Sequence, residues 1–157
     1  MPLSIMAPNK KARFTFKSTG ALFLLSALFD LLSPTSDVPL FGTLHGGAVA
    51  VMYHLLYAAL FVVVGIGLWS GKRWGDKAVL ATTALYTFDR IQRILSPATL
   101  AASLFQGLGN YAGLLLPADK RAIVQITVTM TWVLLAFWWA FAWYTYVRRD
   151  YFRQGGR

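Results

Sequence analysis

Residues 45–69, HGGAVAVMYHLLYAALFVVVGIGLW, run for 25 positions without an aspartate, glutamate, lysine or arginine. Roughly 20 mostly apolar residues in a helix cross the hydrocarbon layer, and a charge-free run of this length has few other places to be stable. Three further segments read the same way: 18–33 (STGALFLLSALFDLLS), which Pro34 ends; 78–96 (AVLATTALYTFDRIQRILS); and 122–147 (AIVQITVTMTWVLLAFWWAFAWYTYV), long enough to span with tilt. With 57% hydrophobic residues in 157, the chain lies outside the range of ordinary soluble domains. The expected fold class is an all-α integral membrane protein, a four-transmembrane-helix antiparallel bundle forming a single membrane domain over 1–157.

Lysine and arginine in short loops stay cytoplasmic, so their placement predicts orientation. Lys10, Lys11, Arg13 and Lys17 precede the first span, Lys72, Arg73 and Lys77 sit between the second and third, and Arg148, Arg149, Arg153 and Arg157 follow the fourth. Four crossings put all three clusters on one side, with a basic N-terminal segment (1–17) and a basic tail (148–157) both cytoplasmic. Trp69, Trp74, Trp138, Trp139 and Trp143 fall near that boundary, as an interfacial aromatic belt would. The expected location is a bacterial or archaeal plasma (inner) membrane. The net charge of +9 then points to anionic lipid headgroups as partners and not to nucleic acid.

Segment 97–117, PATLAASLFQGLGNYAGLLLP, is nearly long enough to cross, but a fifth span would place the arginine-rich tail outside. Gln106, Gly107, Gly109 and Asn110 also interrupt it, so an amphipathic or re-entrant piece on the outer face is expected. The first span has the basic flank of a signal peptide, yet no A-x-A site follows, and a retained helix is expected. FDLLSP (29–34) and FDRIQRILSP (88–97) raise the idea of an internal duplication, which so few matched letters do not establish.

Charges inside a span are costly and usually face a bundle interior, a water-filled cavity or a partner, so function is sought there first. Asp89 lies about 12 Å from the outer end of its helix, and Arg93 follows one turn later in the favourable acid-before-base order. Thr82, Tyr86, Asp89, Arg93 and Ser96 recur every three or four residues and form one polar stripe. Arg90 points about 100° away and is expected to snorkel to the interface. Asp30, near the outer end of the first span, offers a second acceptor to Arg90 or Arg93. His45, placed at the opening of the second span, sits at the level of Asp30, so an intramembrane polar cluster of Asp30, Asp89, Arg90, Arg93 and His45 is expected, mainly as an inter-helix clamp.

His45 and His54 are the only imidazoles. On one helix nine residues apart, they fall on opposite faces and roughly 13 Å from each other along the axis, which excludes a shared metal. A hydrogen-bonded histidine within the bundle is the expected role of each, ahead of haem ligation. His54, Tyr53, Tyr57, Trp138 and Trp139 are the candidate contacts for a quinone, pigment or other cofactor. Gln125, Thr127, Thr129 and Thr131 read as packing glue in the fourth span.

There is no cysteine, which excludes disulfides, thiolate metal sites and cysteine nucleophiles. GxxxxGK[ST], HExxH, GxSxG and carboxylate-rich metal motifs are also missing, and no extramembrane stretch is large enough for a catalytic domain. No enzymatic activity is expected on this basis. The leading expectation is a small non-catalytic subunit that packs into a larger membrane assembly, with an energy-converting complex as one candidate and other membrane subunits or self-association as partners. The alternatives are an oligomeric transporter or channel using Asp89, Asp30 and Arg93, and a quinone-, lipid- or pigment-binding membrane protein.

Overall fold

A computed structural model describes residues 10–32 and 34–154. In chain order they form α1 (Lys10–Leu32), β1 (Val38–Leu40), β2 (Thr43–His45), α2 (Gly47–Ser70), α3 (Gly75–Ile94), α4 (Pro97–Leu108), a 3₁₀ segment (Gly109–Leu114), α5 (Pro117–Val147) and α6 (Asp150–Gln154). The fold is helical, and three helices are long and apolar enough to cross a membrane: α1 over Ala12–Leu32, α2 and α5. α3 does not reach that apolarity, because Asp76, Lys77, Asp89, Arg90 and Arg93 fall within its 20 residues.

Helix ends follow local chemistry. Pro97 and Pro117 open α4 and α5, where a missing amide hydrogen costs nothing. Gly71 closes α2 in the left-handed conformation, its N–H bonded to the carbonyl of Gly67. At 12 residues, α4 is about 18 Å long and too short to cross a layer of about 30 Å, and the 3₁₀ segment after it breaks the helical run.

α1 runs along α2, α2 along α3 and α3 along α5. Ring contacts join α5 back to α1: Phe23 meets Trp138 at 5.2 Å and Phe16 meets Tyr144 at 5.5 Å between centroids. The α1–α2 seam is close because both sides are glycine. A Cβ on Gly20 would lie 2.9 Å from the Gly65 carbonyl oxygen. At the end of the molecule that holds the α2–α3 turn, Phe16, Val64, Leu68, Val79, Ala142 and Phe152 are buried together.

The fold is helical as expected, with one short pair of strands, and two expectations need correction. Residues 38–45 form an antiparallel hairpin in which Val38 faces His45 and Leu40 faces Thr43, turning on Phe41 and Gly42, both at positive φ (49° and 82°). His45 is therefore a strand residue, and α2 begins two positions after it. The tail is more than a basic extension. α6 seats Phe152 against Phe16 at 5.1 Å, and Tyr151 donates its hydroxyl to the Leu68 carbonyl at 3.0 Å. Burial pushes the Tyr151 hydroxyl above its usual pKa, with Arg13 acting against it.

The hairpin is held by side chains from α3 and α4. Gln92 accepts the Phe41 N–H at 2.8 Å and donates to the Pro39 carbonyl at 2.9 Å, while Thr99 donates to the Gly42 carbonyl at 2.6 Å. Each such bond is worth about 0.5–1.5 kcal/mol. Gln92→Ala should therefore raise hydrogen exchange at the Leu40 and Thr43 amides by roughly tenfold or more, read by exchange mass spectrometry, and leave α5 unchanged.

Candidate functional site

Two polar groups lie side by side across α1, α2 and α3, because Tyr53 and His54 are neighbours on α2 and point to different helices. On the α3 side, Tyr53 donates its hydroxyl to Asp89 Oδ2 at 3.0 Å and accepts a hydrogen bond from Arg93 Nη2. Arg93 Nε lies 3.3 Å from the same carboxylate oxygen, one helical turn on, and Arg90 Nε lies 3.8 Å away. Asp89 is 7% exposed, so this carboxylate and two guanidiniums are largely withdrawn from solvent.

The cluster has an uneven charge count: one carboxylate serves two arginines, and the Nε–H groups of Arg90 and Arg93 are buried without a hydrogen bond. Arg90 compensates by stacking over Tyr86, 4.5 Å from the ring centroid, and Arg93 covers the Tyr53 ring at 5.4 Å. This corrects the expectation that Arg90 snorkels alone. Backbone geometry turns it away from Asp89, but the long side chain comes back over Tyr86.

On the α1 side, His54 Nδ1 faces Asp30 Oδ1 at 3.5 Å, and His54 Nε2 is hydrogen-bonded to Ser36 Oγ at 2.9 Å. Asp30 thus pairs with a histidine of α2 and not with Arg90 or Arg93. His45 joins neither group, since its Nε2 bonds Thr43 Oγ1 at 2.7 Å on its own strand. The expected Asp30–His45–Arg93 cluster does not form. Its acid belongs to one group and its base to the other, because His45 leaves the helix for the hairpin.

Between α2 and α3 an open groove of about 450 Å³ is lined by Leu40, Phe41, Val49, Met52, Leu56, Leu60, Leu85 and Phe88, with Tyr53, Tyr57, Asp89 and Gln92 at its polar edge. Phe41 of the hairpin and Phe88 of α3 approach to 6.4 Å between centroids and form part of one wall. Of the expected cofactor contacts, Tyr53 and Tyr57 line this groove; His54, Trp138 and Trp139 do not. Trp138 stacks on Tyr86 at 4.8 Å between α5 and α3, and Trp139 donates its indole N–H to Thr87 at 3.0 Å.

Gln92 and Ser36 are the residues that sequence reasoning passed over. Gln92 had a signal, being a polar residue one turn past Phe88 and next to Arg93; Ser36 had none, lying in the turn after Pro34. Among the described residues, no group of three histidine, cysteine, aspartate or glutamate side chains is placed to hold a metal ion. No family model, curated protein or solved structure matches the chain.

Proposed function

We propose that the chain is a four-span membrane protein, α1, α2, α3 and α5 antiparallel with both termini cytoplasmic, that holds the apolar tail of an amphiphile such as a lipid or quinone between α2 and α3. The observation that carries this reading is the groove itself. It is open, almost wholly apolar, roofed by a pinned hairpin, and bordered by the Tyr53–Asp89–Gln92 hydrogen bonds. α3 crosses despite its charges because Asp89 and Arg93 neutralise each other at 3.3 Å.

The test is to fill the groove. Leu56 lies on its wall and is exposed, so Leu56→Trp adds bulk without disturbing the core. Excluding about four methylenes at about 0.8 kcal/mol each removes about 3 kcal/mol, roughly a hundredfold in occupancy. Extraction of protein purified in mild detergent, followed by lipid mass spectrometry, should find an amphiphile at near-stoichiometric level in the wild type and strongly depleted in the variant. Equal amounts in both would refute the groove as the binding place.

The accessory-subunit reading is favoured by one observation. Only Leu135, Ala142 and Thr145 of the 31 residues of α5 are buried, leaving a long apolar face. The same mild-detergent preparation distinguishes the two readings: stoichiometric partner polypeptides mean a subunit, and a chain that carries only its amphiphile means a binding protein. The transporter reading loses ground because Asp30 and Asp89 are engaged in separate pairs.

A further inference from the structure

Ser36, His54 and Asp30 stand in the order nucleophile, base, acid. His54 Nε2 is 2.9 Å from Ser36 Oγ, and the ring's other nitrogen faces the Asp30 carboxylate at 3.5 Å. An ionised carboxylate opposite Nδ1 favours the tautomer with its proton there, which leaves Nε2 as the acceptor a nucleophilic hydroxyl needs. His54 Nδ1 is buried and makes no hydrogen bond among the described residues; the Asp30 carboxylate, 3.5 Å away, is the charged group that faces it. The Ser36 carbonyl oxygen, 3.3 Å from Nε2, can only accept and favours the proton on Nε2, so the base role requires that the Asp30 carboxylate draw the proton to Nδ1 instead. Ser36 is exposed, on a cavity of about 300 Å³. Gln106 and Asp37 line the same cavity, with the Gln106 amide donating to the Asp37 carboxylate at 2.7 Å.

We propose that Ser36, His54 and Asp30 form an acyl-transfer site that hydrolyses carboxylic esters at the membrane surface. Ser36 Oγ bonds to the ester carbonyl carbon as its proton passes to His54 Nε2, and the carbonyl electron pair moves onto oxygen. When that pair returns, the alcohol leaves with the proton His54 had taken, and an acyl-serine remains. Water then adds to the acyl carbon, gives a proton to His54, and releases the acid as Ser36 Oγ recovers that proton. One ester and one water give one acid and one alcohol, with no change of oxidation state. Ser36 and His54 are the catalytic residues and Asp30 a positioning residue.

The location suits this substrate class. Asp30 lies two residues before the end of α1, and His54 about 10 Å into α2. On the four-span reading, that is the depth at which glycerolipid ester carbonyls lie. The site is separate from the α2–α3 groove, which none of the three residues lines.

The test uses full-length protein in phosphatidylcholine nanodiscs and a fluorophosphonate probe, which captures activated serines. Labelling should map to Ser36, vanish in Ser36→Ala, and slow roughly 10²- to 10⁴-fold in His54→Gln. Ser36 is on the surface, so its alanine variant should fold, which size exclusion and circular dichroism check. With p-nitrophenyl butyrate as substrate, Asp30→Asn should lower kcat with KM held, and Asp30→Glu should restore part of it. A purely structural aspartate would not give that split. Release of fatty acid from the nanodisc lipid identifies a lipid ester as substrate, and turnover of the soluble ester alone identifies a short-chain one. Labelling no greater than in Ser36→Ala, or equal in His54→Gln, overturns the proposal. Leu56→Trp should label normally, so failure of the groove reading and failure of this one are distinguishable.

Discussion

Gly20→Leu is expected to force α1 away from α2 and destabilise the fold. A Cβ at this position meets the Gly65 carbonyl oxygen at 2.9 Å and the Trp69 amide nitrogen at 3.1 Å, both backbone atoms that cannot rotate away. α1 would have to leave α2. In a bilayer the lipid tails are as apolar as leucine, so helix association depends on close packing, and a seam forced apart has little to replace it. Overpacking of this kind costs about 1–3 kcal/mol in cores that can shift, and a backbone-to-backbone clash sits at or beyond the upper end. Equilibrium unfolding in mixed micelles, followed by tryptophan fluorescence, should show a loss of about 3 kcal/mol or more. Gly107→Ala is the control. Nothing lies within 4 Å of a Cβ there, and within α4 alanine should gain up to about 1 kcal/mol of helix propensity. Equal destabilisation by both substitutions would mean that the α1–α2 seam is not close-packed.

Asp89→Ala should be nearly as damaging, for an electrostatic reason. The carboxylate is 7% exposed and faces Arg93 at 3.3 Å and Arg90 at 3.8 Å, and it accepts the Tyr53 hydroxyl at 3.0 Å. Removing it leaves two guanidiniums without a counter-ion and one tyrosine hydroxyl without its acceptor. Breaking a buried pair from one side costs about 3–5 kcal/mol, because the remaining charge stays desolvated. The partial exposure of Arg90 and Arg93, at 27% and 17% of the side chain, places the expectation at the lower figure. Adding Arg93→Met to Asp89→Ala should recover more than about 1 kcal/mol, since one of the stranded charges is then gone. If the double variant is as unstable as the sum of the two single changes, the pair is not coupled and the cluster has another basis.

Much of this arrangement is legible locally. The 45–69 run, the prolines at 97 and 117 that open α4 and α5, and the Asp89–Arg93 spacing each belong to one continuous stretch of chain, and helical geometry fixes their relation whatever surrounds them. The hairpin was missed because VPLFGTLH has no polar alternation. Its turn is marked only by Gly42, and the Phe41 before it takes a positive φ that bulky side chains rarely adopt. That one misreading moved His45 into a helix and put it beside the wrong acid.

From the chain alone come the long apolar helices, the breaks between them and the acid–base pair on α3. Each is a property of near neighbours on one helix. Partner choice is different: Asp30 with His54, His54 with Ser36, Tyr53 with Asp89 and Phe16 with Phe152 join positions far apart in the chain. These depend on how closely α1 approaches α2 at Gly20 and Gly65, and on how the hairpin folds back over α3. No periodicity records a crossing between helices, so only the tertiary structure decides which charges meet.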